Sequence, residues 1–214
     1  MKRVFSFILL LVLTVSLVGC SFSLDKFVPT QPVSETEATQ AQTQPPTEPP
    51  TQSEAEILFE DMSGEYLFSS GAGAWGTMLY LNSDGTFEGS YHDTDMGSGG
   101  ETYKYTVHIC NFTGAFTDVE KINDYTYSAK VENLEYEKPA GTEEIKEDCR
   151  YMYTDAYGIY GGDIFFFYTP DATMEQLPYE FKSWHIGLSA APSEQLLGVY
   201  GIYNVTKKNG FYQS

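Results

Sequence analysis

Three histidines and 30 acidic residues are the raw material for any acid–base or metal chemistry in this chain of 214 residues, and one stretch sets them side by side. In Tyr91-His92-Asp93-Thr94-Asp95-Met96-Gly97-Ser98-Gly99-Gly100, an imidazole and two carboxylates adjoin a glycine run. On a mobile loop, His92, Asp93 and Asp95 would bind a cation or exchange protons with a substrate. The competing reading is a polar loop in which the two aspartates cap turns and His92 meets solvent. Gly97 also comes one place too early for an EF-hand loop. His108 and His185 read as packing or surface residues. No Gly-x-Ser-x-Gly, His-Glu-x-x-His or P-loop pattern occurs. No catalytic residue, metal ligand or cofactor is therefore nominated, and the chain is expected not to be an enzyme.

Gly71-Ala72-Gly73-Ala74-Trp75-Gly76 matches G-x-G-x-x-G. A dinucleotide site needs a helix N-terminus after that pattern to hold the pyrophosphate, and here a strand pattern follows. The glycines are better explained as a sharp corner that lets the chain lie close under Trp75. Its indole would then plug the end of a sheet or barrel.

The elements that must carry these residues are strands. Tyr66 and Phe68 alternate with Glu65 and Leu67, and Thr77, Leu79 and Leu81 alternate with Met78 and Tyr80. Asn82-Ser83-Asp84-Gly85 supplies turn chemistry, and Phe87, Gly89 and Tyr91 return on the other arm. Tyr103, Tyr105, Val107 and Ile109 are expected to face inward, with Lys104, Thr106, His108 and Cys110 outward. Strands over 112–119 and 125–131 follow, the second with Tyr125 and Tyr127 inward. A charged loop over 137–148 precedes strands at 150–153 and 163–169. Ile164-Phe165-Phe166-Phe167-Tyr168 is apolar on both faces, which predicts a strand covered on each side. A helix is expected over 173–184, where Leu177, Phe181 and Trp184 recur at spacings of four and three and Thr173 with Gln176 fits a capping box. Pro178 either starts or kinks it. Residues 199–205 and 210–212 form a closing hairpin. The total is an all-β, antiparallel barrel of about 8–10 short strands with one helix near the C-terminus.

At the other end, Lys2 and Arg3 precede an apolar run from Val4 to Val18 and then Gly19-Cys20. This is the pattern of a signal peptide over residues 1–19, since the run falls short of the roughly 20 residues that span a bilayer. Leu17-Val18-Gly19-Cys20 resembles the lipobox of bacterial lipoproteins. The resemblance implies lipidation of Cys20 and anchoring to the outer, extracytoplasmic face of a cell membrane, with the bilayer as a partner. Two acyl chains would hold stably, each buried methylene contributing about 0.8 kcal/mol. Residues 20–56 comprise the lipidated cysteine and a segment rich in Pro, Thr and Gln that buries too little apolar surface to order itself, so they form a tether. Such a tether resembles the wall-spanning linkers of Gram-positive surface lipoproteins, which favours that surface.

Residues 57–214 are long enough for one domain and contain all 17 tyrosines. Without Lys2 and Arg3 the chain keeps 10 basic and 30 acidic residues, a net charge of −20. That balance disfavours nucleic acid and anionic lipid as partners and favours solubility as a monomer. With Cys20 assigned to lipid, Cys110 and Cys149 are expected to form a disulfide, which would contribute about 4 kcal/mol in the chain-entropy picture. Two buried thiols, or a metal pair with His108, are the alternatives, and no Cys-x-x-Cys spacing supports zinc.

Gly73-Ala74-Trp75 near the first strand, short up-and-down strands and a late helix resemble the lipocalin or calycin barrel, and the wider string resembles uncharacterised surface lipoproteins of Gram-positive bacteria. In the calycin family the tryptophan closes the barrel end and the interior holds a small apolar ligand. An inward row of Tyr103, Tyr105, Tyr125 and Tyr127 would either fill the core or line a site for a small amphipathic or sugar-like ligand. The leading expectation is a surface-tethered ligand-binding barrel, which requires an internal cavity. The alternative is a structural or protein-interaction module of the envelope, which requires a filled interior and a contiguous exposed apolar patch.

Overall fold

A computed structural model describes residues 52–185 and 187–214. The signal peptide, Cys20 and the tether up to residue 51 lie outside the described residues. The described chain opens with helix α1 (Glu54–Met62). Five strands follow: β1 (Gly64–Ser69), β2 (Trp75–Leu81), β3 (Thr86–Asp95), β4 (Tyr105–Asn123) and β5 (Thr126–Tyr136). A short hairpin, β6 (Glu143–Lys146) and β7 (Cys149–Tyr153), precedes β8 (Phe165–Tyr168). A 3-10 turn (Met174–Gln176), helix α2 (Tyr179–Lys182) and a second 3-10 turn (Leu188–Ala190) lead to β9 (Gly201–Asn204) and β10 (Asn209–Gln213).

Eight strands close a barrel in the order β3-β2-β1-β10-β9-β8-β5-β4, with β4 pairing back onto β3. Every pairing around it is antiparallel. With the β6–β7 excursion set aside, neighbours in space are neighbours in sequence, an up-and-down meander compatible with a calycin-like barrel. The turn at Asn82-Ser83-Asp84-Gly85 forms as expected: Gly85 N–H donates to the Asn82 carbonyl at 3.0 Å, the Asp84 carboxylate accepts from Thr86 N–H at 3.0 Å, and Gly85 takes a φ of +83°.

Phenylalanine fills the barrel. Phe68, Phe87, Phe112, Phe116, Phe165, Phe167 and Phe211 are buried in one cluster with Leu79, Leu81 and Ile202. Helix α1 closes one end by sending Leu58, Phe59 and Met62 into that cluster, with Phe59 edge-on to Phe167. Residues 154–164 cross the other end and bury Ala156 and Ile159 there. Hydrogen bonds hold this crossing segment, among them Thr77 Oγ1 to the Tyr157 carbonyl (2.7 Å), Asn204 Nδ2 to the Gly158 carbonyl (2.9 Å) and Thr154 N–H to the Ile109 carbonyl (2.9 Å).

A second cluster coats the outside of β8, β9 and β10. Met174, Leu177, Phe181, Leu188 and Leu197 pack there on Tyr168, Tyr203 and Tyr212. Phe181 reaches the sheet because Gly201 and Gly210 lack side chains; a Cβ on either would stand 2.5 or 2.8 Å from its ring. This coat explains the doubly apolar run in β8, whose Phe165 and Phe167 face the barrel interior while Tyr168 faces the coat.

The structure departs from the sequence expectations at several places, among them the expected loop over 137–148, which contains strand β6. The helical segment near the C-terminus is a 3-10 turn followed by a short helix that starts just after Pro178, because proline cannot donate within a helix. The longest helix among the described residues is α1, which begins before residue 57. The strand expected over 103–110 and the one over 112–119 are a single 19-residue strand with Cys110, Phe112 and Phe116 inward. The face expected for Tyr105, Val107 and Ile109 is thereby reversed. Finally, Cys110 and Cys149 form no disulfide; both are free, buried thiols. Strand β7 runs parallel to β4 and sets Cys149 beside Tyr105, five residues along from Cys110. At about 3.3 Å per residue the two lie some 16 Å apart, against an upper limit of about 7 Å between the Cα atoms of a disulfide.

Candidate functional site

His92, Asp93 and Asp95 belong to the end of β3 rather than to a glycine-rich loop. Strand alternation separates them. Asp93 and Asp95 share the inner side with Phe87 and Tyr91, whereas His92 points outward with Ser90 and Glu88. Asp93 stands in register with His108 on β4, and the Asp95 carboxylate accepts from Gly97 N–H at 2.8 Å as a turn cap. Among the described residues no three His, Cys, Asp or Glu side chains gather into a metal-binding group.

The four tyrosines of the expected row lie apart. Tyr103 precedes β4 and stacks under the Arg150 guanidinium, 4.9 Å from its ring centroid. Tyr105 lies in register with Cys149. Tyr125 packs against the outer coat, and Tyr127, in register with Phe167, packs against the phenylalanine core. Trp75 is half-buried at the end crossed by residues 154–164, edge-on to Phe68 at 5.1 Å, Tyr157 at 5.3 Å and Trp184 at 6.1 Å. Its indole packs there as one member of this ring cluster.

With the interior filled, the open space lies outside. A groove of about 630 Å³ runs over the outer face of β1 to β5. Two rows of register partners run along it, and Leu67, which ends the second row, lies just outside the lining. Glu65, Tyr80, Glu88, Thr113 and Glu135 stand side by side across five strands, and Leu67, Met78, Ser90 and Asn111 form the adjacent row. The Asn111 amide donates to the Glu137 carboxylate at 2.6 Å and so fixes the end of the second row. Register partners sit about 5 Å apart on one face, so each row is a continuous strip.

The composition of that groove is unusual for a solvated face. Tyr80 is 45 % exposed, Leu67 39 % and Met78 37 %, and the outer coat stops short of them. Four of the twelve lining residues are glutamate, Glu65, Glu88, Glu135 and Glu137, and none is lysine or arginine. An apolar strip edged by like charges stays solvated in the free protein and presents a negative field to anything that approaches. The sequence carried a trace of this strip: in Thr77-Met78-Leu79-Tyr80-Leu81 both phases of the alternation are apolar, although one of them faces water.

A second cleft, of about 320 Å³, opens at the barrel mouth between Tyr91, residues 154–160, Lys207 and Asn209. Burial, with Asp93 and Tyr157 close by, pushes the Tyr91 hydroxyl up to about 12, so that phenol is a neutral hydrogen-bonding group at physiological pH. No protein-family model, curated protein or solved structure matches this chain.

Proposed function

We propose that this chain is a membrane-anchored, extracytoplasmic, non-catalytic interaction module that docks a basic protein segment on the outer groove of its barrel. The observation that carries the reading is the pairing of a filled interior with an exposed Leu67-Met78-Tyr80 strip framed by four glutamates. Phenylalanine side chains occupy the interior where a calycin barrel would hold its ligand, which favours a site on the outside. An apolar strip with one sign of charge around it suits a partner with lysine or arginine around an apolar or aromatic anchor. Tyr80 is the natural anchor, because aromatic side chains concentrate binding energy at interfaces. The glutamates would steer the encounter and set its salt dependence. The signal sequence and the lipobox resemblance at Cys20 support display on the outer side of a membrane.

The test is NMR titration of the full chain with a lysine-rich peptide containing one tryptophan. Perturbations are expected at Leu67, Met78, Tyr80 and Glu88, weakening as salt rises. The double variant Glu88→Lys, Glu135→Lys should lose them while keeping its fold, since exposed substitutions typically change stability by only about 0.5 kcal/mol. Perturbations scattered over the whole acidic surface, or unchanged in the double variant, would refute the assignment.

A further inference from the structure

The mouth cleft is a second site, independent of the outer groove. Alternation along β10 puts Asn209 on the same side as the core residue Phe211, facing into the barrel end. There Asn209 is 7 % exposed, it lines the cleft, and its side-chain amide makes no hydrogen bond with any described residue. What remains open of this residue is the amide, whose donors and acceptor meet the cleft and are not engaged by the protein.

The groups around it have one character. Tyr91 rises from β3 on the inner side, and the crossing segment supplies Asp155, Tyr157 and Tyr160. Tyr157 and Tyr160 keep 43 % and 50 % of their surface exposed although the segment itself is pinned at both ends. Tyr91 and Tyr157 are 5.4 Å apart with their planes inclined by 52°, so they form a walled corner rather than a closed stack. The Asp155 carboxylate has no hydrogen-bonding or ion-pairing partner among the described residues. Lys207 lies over Gly161, where a Cβ would stand 2.8 Å from its Cε. Aromatic faces beside a carboxylate, an amide and an ammonium match a ligand that carries an apolar C–H face and hydroxyl groups on one small ring.

We propose that this cleft binds a neutral sugar, a mono- or disaccharide, with its ring face on Tyr157 and Tyr160 and its hydroxyls on Asn209 and Asp155. The test is 19F NMR of the full chain in detergent micelles, labelled with 3-fluorotyrosine and titrated with glucose, galactose, N-acetylglucosamine, maltose and cellobiose, and with glycine as a zwitterionic control. At least one sugar should shift the Tyr157 and Tyr160 resonances saturably, with a millimolar Kd, the order expected of a small, open site. Tyr160→Ala, at an exposed position, should weaken that binding roughly tenfold, the loss of one aromatic contact. Asn209→Ser should weaken it too, and if that variant does not fold, Asp155→Asn reads the same polar arm. The assignment is overturned if no sugar shifts these resonances at about 50 mM, well above that Kd, if Tyr160→Ala binds as tightly as the parent, or if glycine shifts them equally. Loss of the groove interaction in the Glu88→Lys, Glu135→Lys variant would leave this binding intact.

Discussion

Cys110 sits in the barrel wall with its side chain in the phenylalanine core, and desolvation, helped by the Asp155 carboxylate, pushes its thiol up to about 11. The folded state therefore favours the protonated thiol. Its contribution to stability is complete below the ordinary thiol value near 9 and is lost as pH rises from there through about 11. A protonated, buried thiol is a poor nucleophile. In a Cys20→Ser background at pH 8, neither Cys110 nor Cys149 should react with a thiol reagent while the protein is folded, and both should react at once in denaturant. The intact mass should equal that of the fully reduced chain. A mass two hydrogens lower would contradict the separation imposed by the parallel β4–β7 pairing, and rapid labelling of the folded protein would contradict the burial of the two thiols. Glu144 shows the opposite sign at a half-buried position. Hydrogen bonds from Lys138 and Lys146 hold its carboxyl at about 2, so what it adds is complete above the ordinary value of 4.5 and is lost as pH falls from there through about 2.

Among the elements, α1 does most to close the barrel, and its start is written in Ser53-Glu54-Ala55-Glu56. Glu56 N–H donates to Ser53 Oγ at 3.2 Å, and the Glu56 carboxylate accepts from Ser53 N–H at 2.7 Å, a reciprocal capping box. Behind it the helix buries Phe59 over Gly85, where a Cβ would come within 2.6 Å of the ring. Ser53→Ala should cost about 1 kcal/mol, and Phe59→Ala about 3–5 kcal/mol because it empties the barrel floor. Urea unfolding monitored by circular dichroism measures both. Equal costs would mean that the helix is docked by its cap rather than by its plug. The capping signal lay in the sequence, but Glu54 to Met62 follows directly on a tether of Pro, Thr and Gln, and composition masked it. Pro178 was legible in the same way: it marked the α2 boundary without revealing that the turns before and after it are 3-10.

At the scale of the whole molecule, the outer surface of the barrel is divided. The segment between β8 and β9 coats β8 to β10, and the opposite wall carries the bare acidic groove. A net charge of −20 without Lys2 and Arg3 opposes self-association of such a wall, and on the proposed reading a lipid at Cys20 would hold the domain near a surface where a basic partner would meet it. Replacing Cys20 with Ser should move the protein from the membrane fraction to the soluble fraction of the producing cell. The unmodified cysteine should likewise be undetectable in the parent by mass spectrometry of its N-terminal peptide. A parent protein that is already soluble would remove the anchoring proposal and leave the groove untouched.

Period-two alternation, turn residues such as Asn82 to Gly85 and the punctuation of glycine and proline determined on their own that this chain makes an antiparallel barrel, because those signals act over neighbours a few residues apart. Which face of β4 points inward was not legible, since both phases of Tyr105 to Cys110 carry side chains that tolerate burial. Only pairing with β3, β5 and the parallel β7 decided it. The same long-range pairing separated Cys110 from Cys149 and lined up Glu65, Tyr80, Glu88, Thr113 and Glu135 from five strands. A row of register partners exists only once the strands are set side by side, so beyond the doubly apolar run at Thr77 to Leu81 the groove and the mouth cleft were decided by the tertiary structure.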